Sequence, residues 1–189
     1  MGTLPPCPPG GVDGGGEAEA SRQKEAFEDL FRSHSQRIGR FLAQIVASRQ
    51  LADDLLQETF LAAWRDRARL DGLDDPEAWL FAIARNRALQ ALRRRRRGGS
   101  ALRRLAFQRT EVEPDPVEAT AVRDFIARNL DAEDRILVVL RYVHGFDANE
   151  LGAITGRSPA AVRQQLSRVT RKLAGEIRAE ANRTCQGDE

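Results

Sequence analysis

The sequence predicts an all-α protein of two small helical domains joined by a flexible linker. Apolar residues recur at three- and four-residue intervals over long stretches, with no sustained two-residue alternation. Capping and turn residues bracket those stretches. One segment, 98–116, breaks the periodicity for long enough to separate two units, each of about 70 residues and able to bury a modest core.

Along the first unit, taken as residues 22–97, Phe27, Leu30, Phe31, Ile38, Phe41, Leu42 and Ile45 form the stripe of one or two amphipathic helices. A second helix is expected from about Gln50 to Arg69, with Leu51, Leu55, Leu56, Phe60, Ala63 and Trp64 inward. Residues 71–76 read as a loop in which Asp75 caps a third helix and Pro76 takes its first position. That helix carries Trp79, Leu80, Ile83, Ala84, Leu89 and Leu92, runs into Arg93 to Arg97, and ends at Gly98-Gly99-Ser100. The linker 98–116 is basic in its first half and acidic in its second, through Glu111, Glu113 and Asp115. Helical periodicity resumes over 117–182, with breaks at Leu130-Asp131, Gly145-Phe146 and Gly156-Arg157. Residues 1–21, rich in Pro and Gly towards their start, and 183–189 have little to bury and are expected to be disordered tails.

Composition bounds the partners. Of the 189 residues, 30 are Lys or Arg and 28 Asp or Glu, so a net charge of +2 gives no uniform cationic coat. All the basic residues except Lys24 and Lys172 are Arg, an excess that matters only where it clusters. Cys7 and Cys185 lie at opposite ends of the chain and can form neither a disulfide framework nor a metal knuckle, as expected of free thiols in a reducing cytosol. No stretch approaches the roughly 18 consecutive apolar residues of a membrane span, and the start of the chain lacks the basic and apolar regions of a secretory signal. A soluble, cytoplasmic protein is expected.

The most informative stretch runs from Gly145 to Leu173. Asp147-Ala-Asn-Glu150 fits a capping box. Leu151 and Ile154 then face inward, while Gly152 allows a close helix crossing. Thr155-Gly156-Arg157 is a tight turn, and Ser158-Pro159 supplies an N-cap and a first-position proline for the next helix. On that helix Val162, Leu166, Val169 and Leu173 share one face, leaving Ala160, Gln164, Ser167, Arg168 and Arg171 opposite, flanked by Arg163 and Lys172. This is the pattern of a helix-turn-helix whose second helix is polar and cationic. Arg and Gln there can make bidentate contacts to guanine and adenine edges. A helical hairpin with a solvated outer face fits the bare spacing; the matched caps, turn and proline favour the DNA-reading form.

Ten arginines lie between Arg85 and Arg109 with no acidic residue among them, a strong local field for phosphates. An RNA-binding segment or a solvated run is the alternative. The preceding helix instead carries Asp53, Asp54, Gln57 and Glu58, a patch that suits a protein partner and repels DNA, unless it is only the wet side of an amphipathic helix. His34 and His144 sit in no metal-ligand spacing, and the chain has neither a phosphate-cradling loop nor a nucleophile motif. No metal, cofactor or catalytic residue is expected, and an enzyme is the least favoured class.

Together these residues resemble the bacterial RNA polymerase sigma factors of the sigma-70 family, extracytoplasmic-function type. Three segments carry the resemblance, in the family's order and separation. They are Ala52-Asp-Asp-Leu-Leu-Gln-Glu-Thr-Phe-Leu-Ala-Ala-Trp64, then Trp79-Leu-Phe-Ala-Ile-Ala-Arg-Asn-Arg-Ala88 with the arginine run behind it, and the helix-turn-helix. The resemblance implies that Asp53, Asp54, Gln57 and Glu58 dock on the clamp of the polymerase β′ subunit, and that the second domain meets the β flap. It implies that Arg67, Asp71, Arg85, Asn86, Arg87, Arg93, Arg94 and Arg95 serve the −10 promoter element, with the loop near 67–75 capturing a flipped base. It assigns the −35 element to Ser158, Ala160, Arg163, Gln164, Ser167, Arg168 and Arg171. Core RNA polymerase, promoter DNA and an anti-sigma factor are the implied partners, with no membrane insertion. One departure stands out. The family usually begins this helix Gly-Thr-Val and continues with an Arg-Ser-Arg pattern; here it reads Ala160-Ala-Val-Arg-Gln-Gln165, and Gln165 is expected to remove a phosphate or base contact. The competing class is a stand-alone helix-turn-helix regulator, which has no need of the acidic patch.

Overall fold

A computed structural model describes residues 14–46, 48–98 and 117–186. Among these residues there are seven α-helices, one 3-10 helix and no strand. The helices are α1 (Gly14–Val46), α2 (Arg49–Arg65), the 3-10 helix (Arg67–Gly72), α3 (Pro76–Gly98), α4 (Val117–Asn129), α5 (Ala132–Tyr142), α6 (Ala148–Thr155) and α7 (Pro159–Gln186). Cys7 and most of the expected linker, with Arg103, Arg104 and Arg109, lie outside the described residues.

In the first unit α1, α2 and α3 pack around a shared apolar centre. Leu30, Ile38, Phe41, Leu42 and Ile45 are buried on α1, and Ala52, Leu55, Phe60 and Ala63 on α2. Burying each large side chain stabilises by about 1.5–3 kcal/mol. Ser48 caps α2, its side chain accepting from the Leu51 amide. The buried Thr59 satisfies its hydroxyl by donating to the Leu55 carbonyl at 2.7 Å. The Asp75 side chain accepts from the Ala78 amide at 2.9 Å, so the predicted cap and the proline at the start of α3 are both present.

Two boundaries differ from expectation. α1 begins at Gly14 rather than Arg22. α2 ends at Arg65 rather than Arg69, because Asp66 takes the C-cap and the backbone tightens into the 3-10 helix; Leu70 still packs on the core from there, prolonging the apolar period.

In the second unit the helix-turn-helix forms as its sequence directs. The capping box is complete: the Asp147 side chain accepts from the Asn149 and Glu150 amides at 2.6 and 2.9 Å, and Glu150 accepts from the Asp147 amide at 2.6 Å. Gly156 ends α6 at φ 71°, a left-handed conformation that glycine adopts without a Cβ penalty. Gly152 is needed for a different reason: a Cβ there would lie 2.8 Å from the Arg157 carbonyl oxygen. Val162, Leu166 and Val169 are buried under α7, as the spacing requires. A satellite cluster of Leu130, Val138 and Val169, with Ile126 and Leu173 against it, ties α4, α5 and α7 together.

The two units are not separate beads. α6 and α5 lie against α3 and α1, and one contiguous apolar cluster runs from Leu30 through Phe81 to Phe146, Leu151 and Leu166. Phe81 packs edge-on against Phe146 at 4.8 Å between ring centroids. His144, in the α5–α6 turn, meets the Phe41 and Phe81 rings at 5.8 and 5.3 Å. The Arg37 guanidinium lies over Phe146 at 5.0 Å while donating to the His144 carbonyl and to the Glu77 carboxylate. Helical periodicity shows which faces are apolar but not which face covers which, so this contact had no signature in the sequence.

Candidate nucleic-acid and protein interfaces

The outward face of α7 is built by subtraction. With Val162, Leu166 and Val169 turned into the core, the helical repeat leaves Ala160, Arg163, Gln164, Ser167, Arg168 and Arg171 exposed. Ser158 starts the helix by accepting from the Ala161 amide at 3.2 Å. Its hydroxyl is thereby engaged in the cap, at the end of the helix that a recognition helix presents to DNA. Arg171 Nε donates back to the Ser167 carbonyl at 3.2 Å, which pins its stem along the helix.

Gln165 is placed differently from expectation. It is half-buried, its amide donates to the Asp134 carboxylate at 2.7 Å, and its carbonyl accepts from Arg157. It therefore braces α7 against α5, and the residue type at this position bears on internal packing rather than on a contact made from the outward face.

On α3 the arginines fall into two groups. Arg85 and Arg87 are half-buried, whereas Arg93, Arg94 and Arg95 are exposed in the last turns. Arg85 donates to the Asn86 side chain at 3.1 Å. Burial holds the Arg85 guanidinium below its usual pKa; Glu133 opposes that shift, while Arg157 and Arg93 add to it. Arg87 stands 3.9 Å from Glu58 of α2, and Arg95 reaches the Val46 carbonyl at 3.3 Å. Arg67 stacks on the Trp64 ring at 4.2 Å and donates to the Trp64 carbonyl. Asp71 is exposed and lines, with Asp29, His34, Asp74 and Asp75, a hollow of about 470 Å³ between α1 and the 3-10 helix.

Asp53, Asp54 and Gln57 are exposed side by side on α2, with Glu58 half-buried at the edge where it meets Arg87. Leu61, one turn further on and 56% exposed, extends this patch with an apolar group that the charge pattern did not single out. The structure thus gathers the acidic patch onto one helix and the −35 candidates onto another. The −10 candidates divide between α3 and the 3-10 segment.

A pairing that the sequence did not point to, Arg93 with Glu133, joins the two units. Glu133, in the first turn of α5, accepts from Arg93 of α3 at 3.3 Å and from Arg157 of the helix-turn-helix at 2.8 Å. Its neighbour Asp134 holds Gln165 and lies 3.8 Å from Arg168. A cleft of about 720 Å³ opens beside this network, with Arg93, Arg96, Arg157, Arg168 and Arg171 in its walls.

Comparison with known proteins identifies the arrangement. Sigma-70 region 2 matches residues 30–98, and Sigma-70 region 4 matches residues 126–173. The RNA polymerase sigma factor CarQ of Myxococcus xanthus is 37% identical over 166 residues, spanning 85% of this chain and 95% of CarQ. The RNA polymerase sigma factor CnrH of Cupriavidus metallidurans is 30% identical over 177 residues, spanning 87% and 93%. The ECF RNA polymerase sigma factor SigL of Mycobacterium tuberculosis is 26% identical over 167 residues, spanning 86% and 92%. Among solved structures, CnrH in complex with the cytosolic domain of CnrY superposes with a TM-score of 0.61 at 28% identity, covering 86% of this chain and 94% of that one. The sigma factor RpoE in complex with the anti-sigma factor NepR, from Bartonella quintana, shares the fold with a TM-score of 0.64 at 22% identity, covering 80% and 96%. No helix among the described residues is long and apolar enough to cross a membrane. On these grounds the chain belongs to the sigma-70 family of RNA polymerase sigma factors, and to its extracytoplasmic-function type.

Proposed function

We propose that this sigma factor divides its work between the surfaces described above. Asp53, Asp54, Gln57 and Glu58 on α2 dock on the β′ clamp of core polymerase, with Leu61 as an apolar anchor. Arg85, Asn86, Arg87, Arg93, Arg94 and Arg95 hold phosphates around the −10 element. The segment bearing Arg67 and Asp71 takes up an unpaired base. Ser158, Ala160, Arg163, Gln164, Ser167, Arg168 and Arg171 read the −35 element from the major groove. The second unit also contacts the β flap. Residues 22–97 and 117–182 are the two working domains in this scheme. The protein is cytoplasmic, does no chemistry of its own, and has an anti-sigma factor as a further partner; CnrH and RpoE are each seen with a bound protein partner.

Opening DNA costs about 1.4 kcal/mol per stacking step. Capturing and stacking an unpaired base returns roughly 1–3 kcal/mol, so a few captured bases together with polymerase contacts suffice to start a bubble without nucleotide hydrolysis.

The observation that carries this reading is the coexistence of an exposed cationic recognition face on α7 with an exposed acidic patch on α2. The patch has no use in a protein that binds DNA alone. A pull-down with purified core polymerase tests it. Asp54→Arg and Gln57→Ala are expected to lose core retention while binding duplex DNA as before; full retention of both variants would remove the docking assignment.

A further inference from the structure

We propose that Asp134, held by Gln165, is a positioning residue for Arg168, and that this restraint makes Arg168 the reader of a single guanine in the −35 element. The proposal rests on the major-groove reading of α7 made above and names the device that gives that reading its base selectivity.

The contacts form one chain inside the second unit. Asp134 lies in the first turn of α5, where its amide donates to the side chain of the capping Asp131 at 2.8 Å, so its backbone is fixed. The residue is buried, with 9% of its surface exposed. One oxygen, Oδ1, accepts from the Gln165 amide at 2.7 Å and lies 3.8 Å from Arg168 Nη2. Gln165 is held at its other end as well, where Oε1 accepts from Arg157, and Arg157 also donates to Glu133 at 2.8 Å. The carboxylate therefore stands at a set place behind the outward face of α7. This gives Gln165, the residue that interrupts the cationic pattern, a role in reading DNA without touching it.

Restraint matters because the Arg168 side chain is 70% exposed. A free arginine carries large rotamer entropy and loses it on making two parallel bonds to a base edge. At 3.8 Å the contact with Asp134 is an ion pair rather than a hydrogen bond, so it limits the wandering of the guanidinium and leaves its five donors for DNA. A guanidinium held in place presents a fixed fork, which matches the O6 and N7 acceptors of guanine. An unrestrained one settles as readily on a phosphate, which carries no sequence information. Arg171 is restrained differently, through its own helix, by the bond from Nε to the Ser167 carbonyl.

The test uses holoenzyme assembled from core polymerase and the full chain, bound to a promoter library with a randomised −35 element, with the retained DNA sequenced. Wild type should prefer guanine about tenfold at one position, and Arg168→Ala should erase that preference. Asp134→Asn keeps the shape and an oxygen for the Gln165 amide while removing the charge. It should reduce the preference to about two- to threefold and leave untouched the position that depends on Arg163. Gln165→Met should act at the same position as Asp134→Asn, and serves as the second probe where either variant melts early by circular dichroism. In an Arg168→Ala background, Asp134→Asn should change nothing further at that position. Uniform weakening on all sequences would show a merely structural role and overturn the proposal, as would additive effects in the double variant. Failure of the underlying reading looks different. If Arg168→Ala alters no position, the −35 assignment of Arg168 falls and the proposal falls with it. If Arg168→Ala erases a position that Asp134→Asn and Gln165→Met leave intact, the proposal alone falls.

Discussion

Acidification should open the molecule, and His144 sets how far. Its ring is packed between Phe41 and Phe81, with Nε2 3.2 Å from the Gln44 side chain, and is half-buried. The charged groups facing it are Arg37 and Arg40 from α1; Glu77 of α3 is already bonded to Arg37. Burial first, then the two arginines, lowers its pKa from 6.5 to about 4. With the units apart, the ring meets water and titrates near its ordinary value. The open state therefore binds a proton below pH 6.5 that the closed state refuses until about pH 4, so closure is unaffected above pH 7 and weakens steadily as pH falls through that window. At pH 5 the penalty on closure is about 2 kcal/mol, a shift of about thirtyfold in the open-to-closed ratio. Scattering at pH 7 and pH 5 measures the opening. Proton NMR follows the two histidine resonances, with His144→Gln identifying the one that belongs to residue 144. The variant should show a much flatter response over the same range. His34, 3.4 Å from Glu77, remains in that variant as an internal check. A His144 resonance titrating near 6.5 in a compact wild-type protein would refute the reasoning, as would equal pH responses from wild type and His144→Gln.

Other expectations follow from single contacts. Asp147→Ala removes both side-chain bonds of the capping box and should cost about 0.5–2 kcal/mol, lowering Tm by a few degrees in a calorimetric scan. Gly152→Ala drives a methyl group against the Arg157 carbonyl and should cost about 1–3 kcal/mol, read by urea denaturation, even though alanine is the better helix former. Arg163→Ala and Arg168→Ala should each weaken −35 recognition by about 1–3 kcal/mol in footprinting with holoenzyme, while core polymerase retention is unchanged. Loss of core affinity with promoter preference intact would reverse the domain assignment.

Much of the fold was legible because its signals are local. Asp75-Pro76, Asp147 with Glu150, Gly156 and Ser158 each satisfy orphan backbone groups within four residues, and each does in the structure what its neighbours in sequence require. The polar face of α7 was legible for a related reason: once Val162, Leu166 and Val169 are inward, the helical repeat leaves no choice for the rest. What escaped were features set by contacts between segments remote in sequence. Arg37 and the His144 carbonyl are 107 residues apart, and Arg93 and Glu133 are 40 apart. Nothing about a surface arginine or a helix-starting glutamate identifies such a partner. Gln165 shows the same limit at one position: it interrupts a cationic pattern, but its role depends on Asp134 and Arg157 lying behind it. The early end of α2 was hidden by Leu70, which keeps the apolar period going after the backbone has left the α-helix.

The central claim is that this protein directs core RNA polymerase to promoters. Run-off transcription on a library of genomic fragments, with purified core polymerase in the presence and absence of the protein, tests it most directly. Discrete new start sites should appear only when both proteins are present, and Asp54→Arg should abolish them. Absence of new transcripts, together with sequence-specific DNA binding by the protein without polymerase, would contradict the claim and leave a stand-alone helix-turn-helix regulator in its place.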